Sequence, residues 1–251
     1  YQQASVISTS HFKTSRWVIR SLDQLEVLRK GKGKDKLQVL EVGAINIQLH
    51  SCSFMKVKSI DLNSQHPLIE EIDFFDIPTS ENALTGVGIG LANLGSKVIL
   101  SHQRVDFSFL SMDQIVNSLS KWHYMFGGAQ SLSVTIRLII GRGWGQGPTH
   151  AQSYQSMFAK IPGLKVVMPS SPYNAKGLLL ASIKDPNPVI FFEHRWLYDL
   201  SENVPLKKYS LPIGKSKIIT KGRDLTIVTM SNSRHEVMGL KDFFIKNKIS
   251  P

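Results

Sequence analysis

From Arg16 to Leu28 the apolar positions Trp17, Ile19, Leu22, Leu25, Val27 and Leu28 recur at loose helical spacing, and Gly31-Lys32-Gly33-Lys34 ends the pattern. A helix followed by a basic turn is expected there. Two short apolar runs come next, residues 37–42 ending at Gly43 and residues 57–62 ending on Asp61 and Asn63. Strands of this kind, separated by about twenty residues, predict an α/β unit.

Beyond Pro78 the register changes. Residues 83–94 are small and apolar, with Gly86, Gly88 and Gly90 inside a predicted helix. Each glycine costs such a helix roughly 1 kcal/mol relative to alanine, so close packing against a neighbour must offset it. The pattern then predicts strands over 98–100, 133–140, 165–168 and 189–193, and helices over 112–121, 154–159 and 174–183, with a flexible glycine-rich loop over 141–147. This alternation predicts a mostly parallel sheet covered by helices. Residues 200–212, with their prolines and charges, read as a linker. A strand over 224–230 and a helix over 235–246 complete the pattern.

Composition adds limits. The chain has 251 residues, is 42% hydrophobic and 20% charged, and carries a formal net charge of +11. That is enough chain and enough apolar surface for a folded core. No apolar run reaches the roughly 20 residues that a membrane helix needs, so no membrane partner is expected. The single cysteine, Cys52, excludes a disulfide framework within the chain and argues against a thiolate zinc site. No metal ligands are assigned. A reducing compartment, cytoplasm or mitochondrial matrix, fits this usage. The basic excess lies after residue 80, mostly from Lys207 on. It reads as a solvated face or a surface for an acidic protein partner rather than as a nucleic-acid site.

The run Pro78-Thr79-Ser80-Glu81-Asn82-Ala83-Leu84-Thr85-Gly86 is followed in order by Asp106-Phe107, Met112-Asp113-Gln114-Ile115-Val116-Asn117 and Tyr124-Met125-Phe126-Gly127-Gly128. Then come Gly147-Pro148-Thr149-His150, Pro162-Gly163-Leu164 and Asn187-Pro188-Val189. Together these segments resemble the transketolase-like β subunits of thiamine-diphosphate-dependent 2-oxo acid dehydrogenases, of which pyruvate dehydrogenase is one. The resemblance implies a pyrimidine-binding domain in which Glu81 is the glutamate that engages the aminopyrimidine, Phe107 packs on that ring, and His150 faces substrate and acyl acceptor. It further implies oxidative decarboxylation of a 2-oxo acid with acyl transfer to a lipoyl-bearing acyltransferase. In that family the diphosphate and its magnesium are held by a Gly-Asp-Gly segment on the partner chain. No Gly-Asp-Gly occurs here. An α-type E1 subunit is therefore expected to complete the site, in a dimer or heterotetramer. Taken alone, Glu81 reads as a first-turn glutamate favoured by the helix dipole, Phe107 as core, and His150 as a loop residue. The loop over 141–147 lacks the Gly-Lys-Ser/Thr ending of a phosphate-binding P-loop.

The opening residues resemble a different family. Tyr1-Gln2-Gln3-Ala4-Ser5, Leu40-Glu41-Val42-Gly43-Ala44, Ile60-Asp61-Leu62-Asn63-Ser64-Gln65 and Asp73-Phe74-Phe75-Asp76 are similar to the start of the eukaryotic 25S ribosomal RNA adenine-N1 methyltransferases. A strand ending in Glu41-Val42-Gly43 lets backbone approach a ligand, and an acidic Asp61 at the end of the next can bind ribose hydroxyls. The resemblance implies S-adenosylmethionine at Glu41, Gly43, Asp61 and Asp73, with an RNA partner and a nucleolar location. As bare patterns these residues read as a strand end and a cap.

The expected organisation is thus a partial Rossmann-like methyltransferase-type segment over 1–78, a transketolase-like pyrimidine-binding domain over 79–199, a linker over 200–213, and over 214–251 the start of a transketolase-type C-terminal domain. Three functional readings follow: a dehydrogenase β component, a methyltransferase fragment, and an inactive fusion joined near Pro78. Under the first, the strands over 37–42 and 57–62 stand where the family has its own opening elements, which requires residues 37–42 to join the sheet next to Glu81.

Overall fold

The computed structural model describes residues 80–251 in full and, before them, the backbone of Gln38–Val42 and Lys56–Ile60. The expected helix over 16–28 lies outside the described residues. Six strands build one sheet: β1 (Gln38–Val42), β2 (Lys56–Ile60), β3 (Lys97–His102), β4 (Val134–Ile140), β5 (Lys165–Val167) and β6 (Val189–His194). Their order is β2-β1-β3-β4-β6-β5, and every neighbouring pair is parallel. Leu40 pairs with Lys58 on one side and Val98 on the other. Of the strand expected over 37–42, Gln38–Val42 therefore sits in the sheet beside β3, as the dehydrogenase reading requires.

Successive side chains alternate between two buried faces. On one face Val98 and Leu100 of β3, Val134, Ile136, Leu138 and Ile140 of β4, and Ile190 and Phe192 of β6 pack with Ile89, Ala92, Ile115, Leu119 and Phe158. On the other, Ile99, Val189 and Phe191 meet Ala175, Leu179, Leu180 and Ile183. Each such side chain contributes roughly 1.5–3 kcal/mol by leaving water.

Helix α1 (Glu81–Asn93) covers the first face and α4 (Pro172–Lys184) the second. Both begin on serine caps. Ser80 accepts a hydrogen bond from the Ala83 amide, and Ser171 from Asn174, with Pro172 at the first helical position. Short helices α2 (Trp122–Met125) and α3 (Gln155–Ala159) flank β4 and β5 in sequence. Only one of the three α1 glycines is needed for close approach. A Cβ at Gly88 would lie 3.1 Å from both Leu100 methyls, whereas one at Gly90 would meet nothing within 4 Å.

Three expectations need correction. The predicted helix over 112–121 winds as a π-helix over Gln114–Leu119, where the Ser120 amide donates to Ile115 at 3.0 Å. The wider turn buries both Ile115 and Leu119. The predicted strand over 224–230 is absent: Leu225, Ile227, Val228 and Met230 are exposed, and no neighbouring strand completes a ladder there. The helix predicted over 235–246 breaks at Leu240 into α5 (Ser233–Gly239) and α6 (Lys241–Lys246), next to helix-weakening Gly239.

Residues 200–213 run as a strap on α4. Tyr209 stacks on Tyr173 with ring centroids 4.6 Å apart, and the Leu211 amide donates to Gly177. Fully buried Lys176 donates to the carbonyls of Pro205, Leu206 and Lys207. Burial without a carboxylate pushes that ammonium down to about 8. Among the described residues no helix is long and apolar enough to cross a membrane.

Candidate functional site

Parallel strands bring their carboxyl ends to one edge, and the loops leaving that edge are where such sheets bind ligands. Here β3 leads from His102 into a 3-10 turn, Val105–Ser111, that carries Phe107. β4 leads from Ile140 into the glycine loop and the turn Pro148–His150, and β6 leads into Arg195–Leu197. Helix α1 runs back toward the start of β3, so its first turn lies at the same edge. The Thr85 hydroxyl fixes this placement, since it donates to the Glu81 carbonyl at 2.7 Å and lies 3.5 Å from Nε2 of His102, the last residue of β3. Burial pulls the His102 imidazole down to about 4, so the ring is neutral at physiological pH.

Glu81 is half-buried at the N-terminus of α1, and its Oε2 is buried without a hydrogen-bond partner. An orphaned carboxylate oxygen is costly unless a ligand donates to it. Helix α1 packs against the Val105–Ser111 turn, which in turn touches Pro148–His150. In that cluster the Phe107 and His150 rings meet edge to face, with centroids 5.2 Å apart and planes at 89°. Asp106 beside them is buried. Its Oδ1 accepts from Gln152, whose Oε1 accepts from the Tyr154 hydroxyl, while its Oδ2 is buried without a partner. Tyr154 also packs edge to face on Phe109.

The glycine loop closes the edge. Gly141, with φ +118, passes so close to the β6 exit that a Cβ there would sit 3.3 Å from Cβ of Arg195. Trp144 lies against the Arg195 guanidinium at 4.5 Å, and the Trp196 indole donates to the Arg142 carbonyl at 2.9 Å. Gln146 is the centre of this layer. Its Oε1 accepts from Arg104 Nη2 at 2.6 Å and from Arg195 Nη1 at 2.7 Å. A cavity of about 170 Å³ opens here, lined by Gly141, Trp144, Gln146, Gly147, His150 and neighbouring loop residues.

Behind the loops, Arg137 of β4 and Glu193 of β6 form a buried ion pair at 2.7 Å. Ser101 of β3 accepts from Arg137, and the Tyr198 hydroxyl donates to Glu193. Burial, first, and the Glu193 charge hold the Tyr198 phenol well above its usual range. These side chains tie three strand ends together. No group of three or more His, Cys, Asp or Glu among the described residues is placed to hold a metal ion.

The structure thus gathers Glu81, Phe107 and His150 at one edge of the sheet. Glu41 belongs to β1, where its backbone pairs with Ser59 and Ile99. Gly43, Asp61 and Asp73 lie outside the described residues. Sequence reasoning missed Arg104, Arg195 and Gln146. Their spacing along the chain carries no periodic signal, and only the exits of β3, β4 and β6 bring them together.

The model of the family described as "Transketolase, pyrimidine binding domain" matches residues 44–200. That of the family described as "25S rRNA (adenine(2142)-N(1))-methyltransferase" matches residues 1–85, overlapping the first. The chain is 41% identical over 177 residues to the pyruvate dehydrogenase E1 component subunit beta of Porphyra purpurea, covering 70% of this chain and 53% of that one. It is 42% identical to the acetoin:2,6-dichlorophenolindophenol oxidoreductase subunit beta of Cupriavidus necator, covering 65% and 48%. It is 44% identical to the mitochondrial 2-oxoisovalerate dehydrogenase subunit beta 2 of Arabidopsis thaliana, covering 61% and 44%. The chain spans about half the length of these curated relatives. Among solved structures, one described as "Split gene transketolase, inactive beta4 tetramer" has the same fold, with a TM-score of 0.64 at 16% identity over 93% of this chain and 67% of that one.

Proposed function

The chain belongs to the family of transketolase pyrimidine-binding domains, and from that premise we propose that it is a β-subunit-like component of a thiamine-diphosphate-dependent 2-oxo acid dehydrogenase. The observation that carries the reading is the orphaned Oε2 of Glu81 at the mouth of the sheet. A buried carboxyl oxygen with no partner in the protein fits a ring nitrogen with which it can share a proton, and the aromatic face of Phe107 fits a flat heterocycle. Thiamine diphosphate, when bound, supplies the centre that stabilises negative charge as a 2-oxo acid loses carbon dioxide. Glu81 holds the proton shared between its carboxylate and N1′ of the pyrimidine, a general acid-base role worth about 10²–10⁴-fold in rate. His150, held edge-on to Phe107, is at the cavity mouth to give or take a proton from the substrate and to meet an incoming lipoyl arm.

The diphosphate and magnesium half comes from an α-type E1 subunit, because this chain contains no Gly-Asp-Gly segment. The partners are therefore that subunit and a lipoyl-bearing acyltransferase, in the mitochondrial matrix or the cytoplasm. Titration of thiamine diphosphate and magnesium, with and without an α subunit, tests this. Binding and decarboxylation are expected only with both chains, and Glu81→Gln lowers the rate by at least about a hundredfold. Tight magnesium-dependent binding by the single chain overturns the division of the site.

The match over residues 1–85 supports a second reading, an S-adenosylmethionine-binding segment that uses Glu41, Gly43, Asp61 and Asp73. Calorimetry with S-adenosylmethionine against thiamine diphosphate separates the two.

A further inference from the structure

We propose that Asp106 is a positioning residue for His150: through Gln152 it clamps the segment that carries the histidine onto the turn that carries Phe107. The proposal rests on the dehydrogenase reading for what His150 does, while the clamp itself stands on geometry. The turn Val105–Ser111 meets the segment around His150 at three points. Phe107 lies edge to face with His150 at 5.2 Å, and Phe109 with Tyr154 at 4.8 Å. Alongside these ring pairs, Asp106 Oδ1 accepts from the Gln152 amide, whose Oε1 accepts from the Tyr154 hydroxyl. Residues 106, 107 and 109 are thus matched to residues 152, 150 and 154.

The direction of this chain of bonds follows from the side chains themselves. A carboxylate has no donor, so the Gln152 amide turns Nε2 toward Asp106 and Oε1 toward Tyr154, and the phenol donates. Asp106 therefore admits one orientation of Gln152. It is buried in the turn that leaves β3, whereas Gln152 is half-buried, so the turn is the fixed side and the segment is the side that is held. His150 needs such a hold. Before it, Gly141, Gly143, Gly145 and Gly147 all have positive φ, backbone that no side chain stiffens. Its Nδ1 lies 3.0 Å from the hydroxyl of Thr149, a neighbour that moves with it. One edge-to-face contact leaves the imidazole free to tilt, and a polar tie two residues further on restrains the backbone beneath it. That matters for chemistry, because a reacting group misplaced by about 1 Å can lose about 10²-fold in rate. Asp106 Oδ2 stays buried without a hydrogen-bond partner, so the carboxylate serves the clamp at some cost to stability.

The test uses the full chain and follows the His150 ring protons by NMR, assigned from their loss in His150→Gln. Phe107→Leu removes the ring current and sets the position of an unclamped histidine. Asp106→Ala is expected to move the signals most of the way to that position. Gln152→Glu acts likewise, because two carboxylates then face each other with no donor between them. Asp106→Asn stays near the native position, since its amide oxygen still accepts from Gln152. Combined with Gln152→Glu it restores the native shift, as the new amide donates to the new carboxylate. With an α-type subunit and thiamine diphosphate, Asp106→Ala and Gln152→Glu lower kcat about tenfold or more while KM changes less than about threefold, and the double variant recovers kcat. Signals unmoved in Asp106→Ala, or a double variant no nearer native than Gln152→Glu alone, overturn the clamp. Moved signals with unchanged kcat overturn the positioning role. No decarboxylation by the native pair overturns the dehydrogenase reading, and the role of His150 with it, while the ring signals still decide the clamp. If Asp106→Ala does not fold, Gln152→Glu and the double variant decide.

Discussion

At the scale of single residues, the site edge holds groups that stability alone would not select. The Glu81 carboxylate has a buried oxygen with no partner, so Glu81→Gln is expected to leave the melting temperature unchanged or raise it, even as it removes activity. A clear loss of stability would mean that the carboxylate has a structural role. His102 makes a pH-dependent contribution. Its folded pKa is depressed to about 4 from an ordinary 6.5, so the unfolded chain takes up the proton first as pH falls. The stability it contributes is complete above about pH 6.5 and is lost as pH drops through 4, a difference of about 3 kcal/mol. Urea unfolding of the native chain and of His102→Gln at pH 7 and pH 4.5 checks this, because the variant must show the shallower decline. Glu81, Phe107 and His150 stand out in the sequence as candidates because they lie inside contiguous motifs, and the structure brings all three to one edge of the sheet. The Arg104–Gln146–Arg195 junction does not stand out there, since a sequence lists charges without saying which of them converge.

At the scale of elements, short apolar runs identified β3, β4, β5 and β6 to within a few residues, because strands buried on both faces are apolar nearly throughout, and among the exceptions Arg137 and Glu193 satisfy each other. The π-helical Gln114–Leu119 was read as an ordinary helix, since one extra residue per turn leaves nearly the same apolar spacing. Residues 224–230 alternate as a strand should, but a strand exists only where a neighbour accepts its hydrogen bonds. The glycines of α1 give the sharpest distinction within one element. Gly90 is exposed with open space at its Cβ position, so Gly90→Ala gains the full helix propensity, about 1 kcal/mol. Gly88→Ala pushes against Leu100 at 3.1 Å and forfeits that gain. Thermal unfolding of the two variants is expected to move in opposite directions, and equal stabilisation would show that α1 stands further from β3 than described.

At the scale of the whole molecule, the sheet crosses the point where the resemblance changes. β1 comes from residues that only the methyltransferase model matches and β2 from residues that both models match, yet β1 pairs with β3 along Val39↔Lys97 to Val42↔Leu100. If the first 79 residues were an independent appendage, a chain starting at Ser80 would fold as well as the whole. In this topology it cannot, because removing β1 and β2 turns β3 into an edge. Its segment Lys97–His102 then presents a row of unpaired amides and carbonyls on a strand whose Val98, Ile99 and Leu100 are almost wholly buried by the two faces of the core. Such edges pair with copies of themselves unless charge or a bulge blocks them. Only Lys97, at the start of the strand, offers that protection. Residues 80–251 expressed alone are therefore expected to self-associate and to unfold at lower temperature than the full chain, as read by sedimentation and by melting at matched concentration. A monomeric fragment that melts where the full chain does would mean that the sheet begins at β3, and that the opening residues take no part in holding Glu81 at its edge.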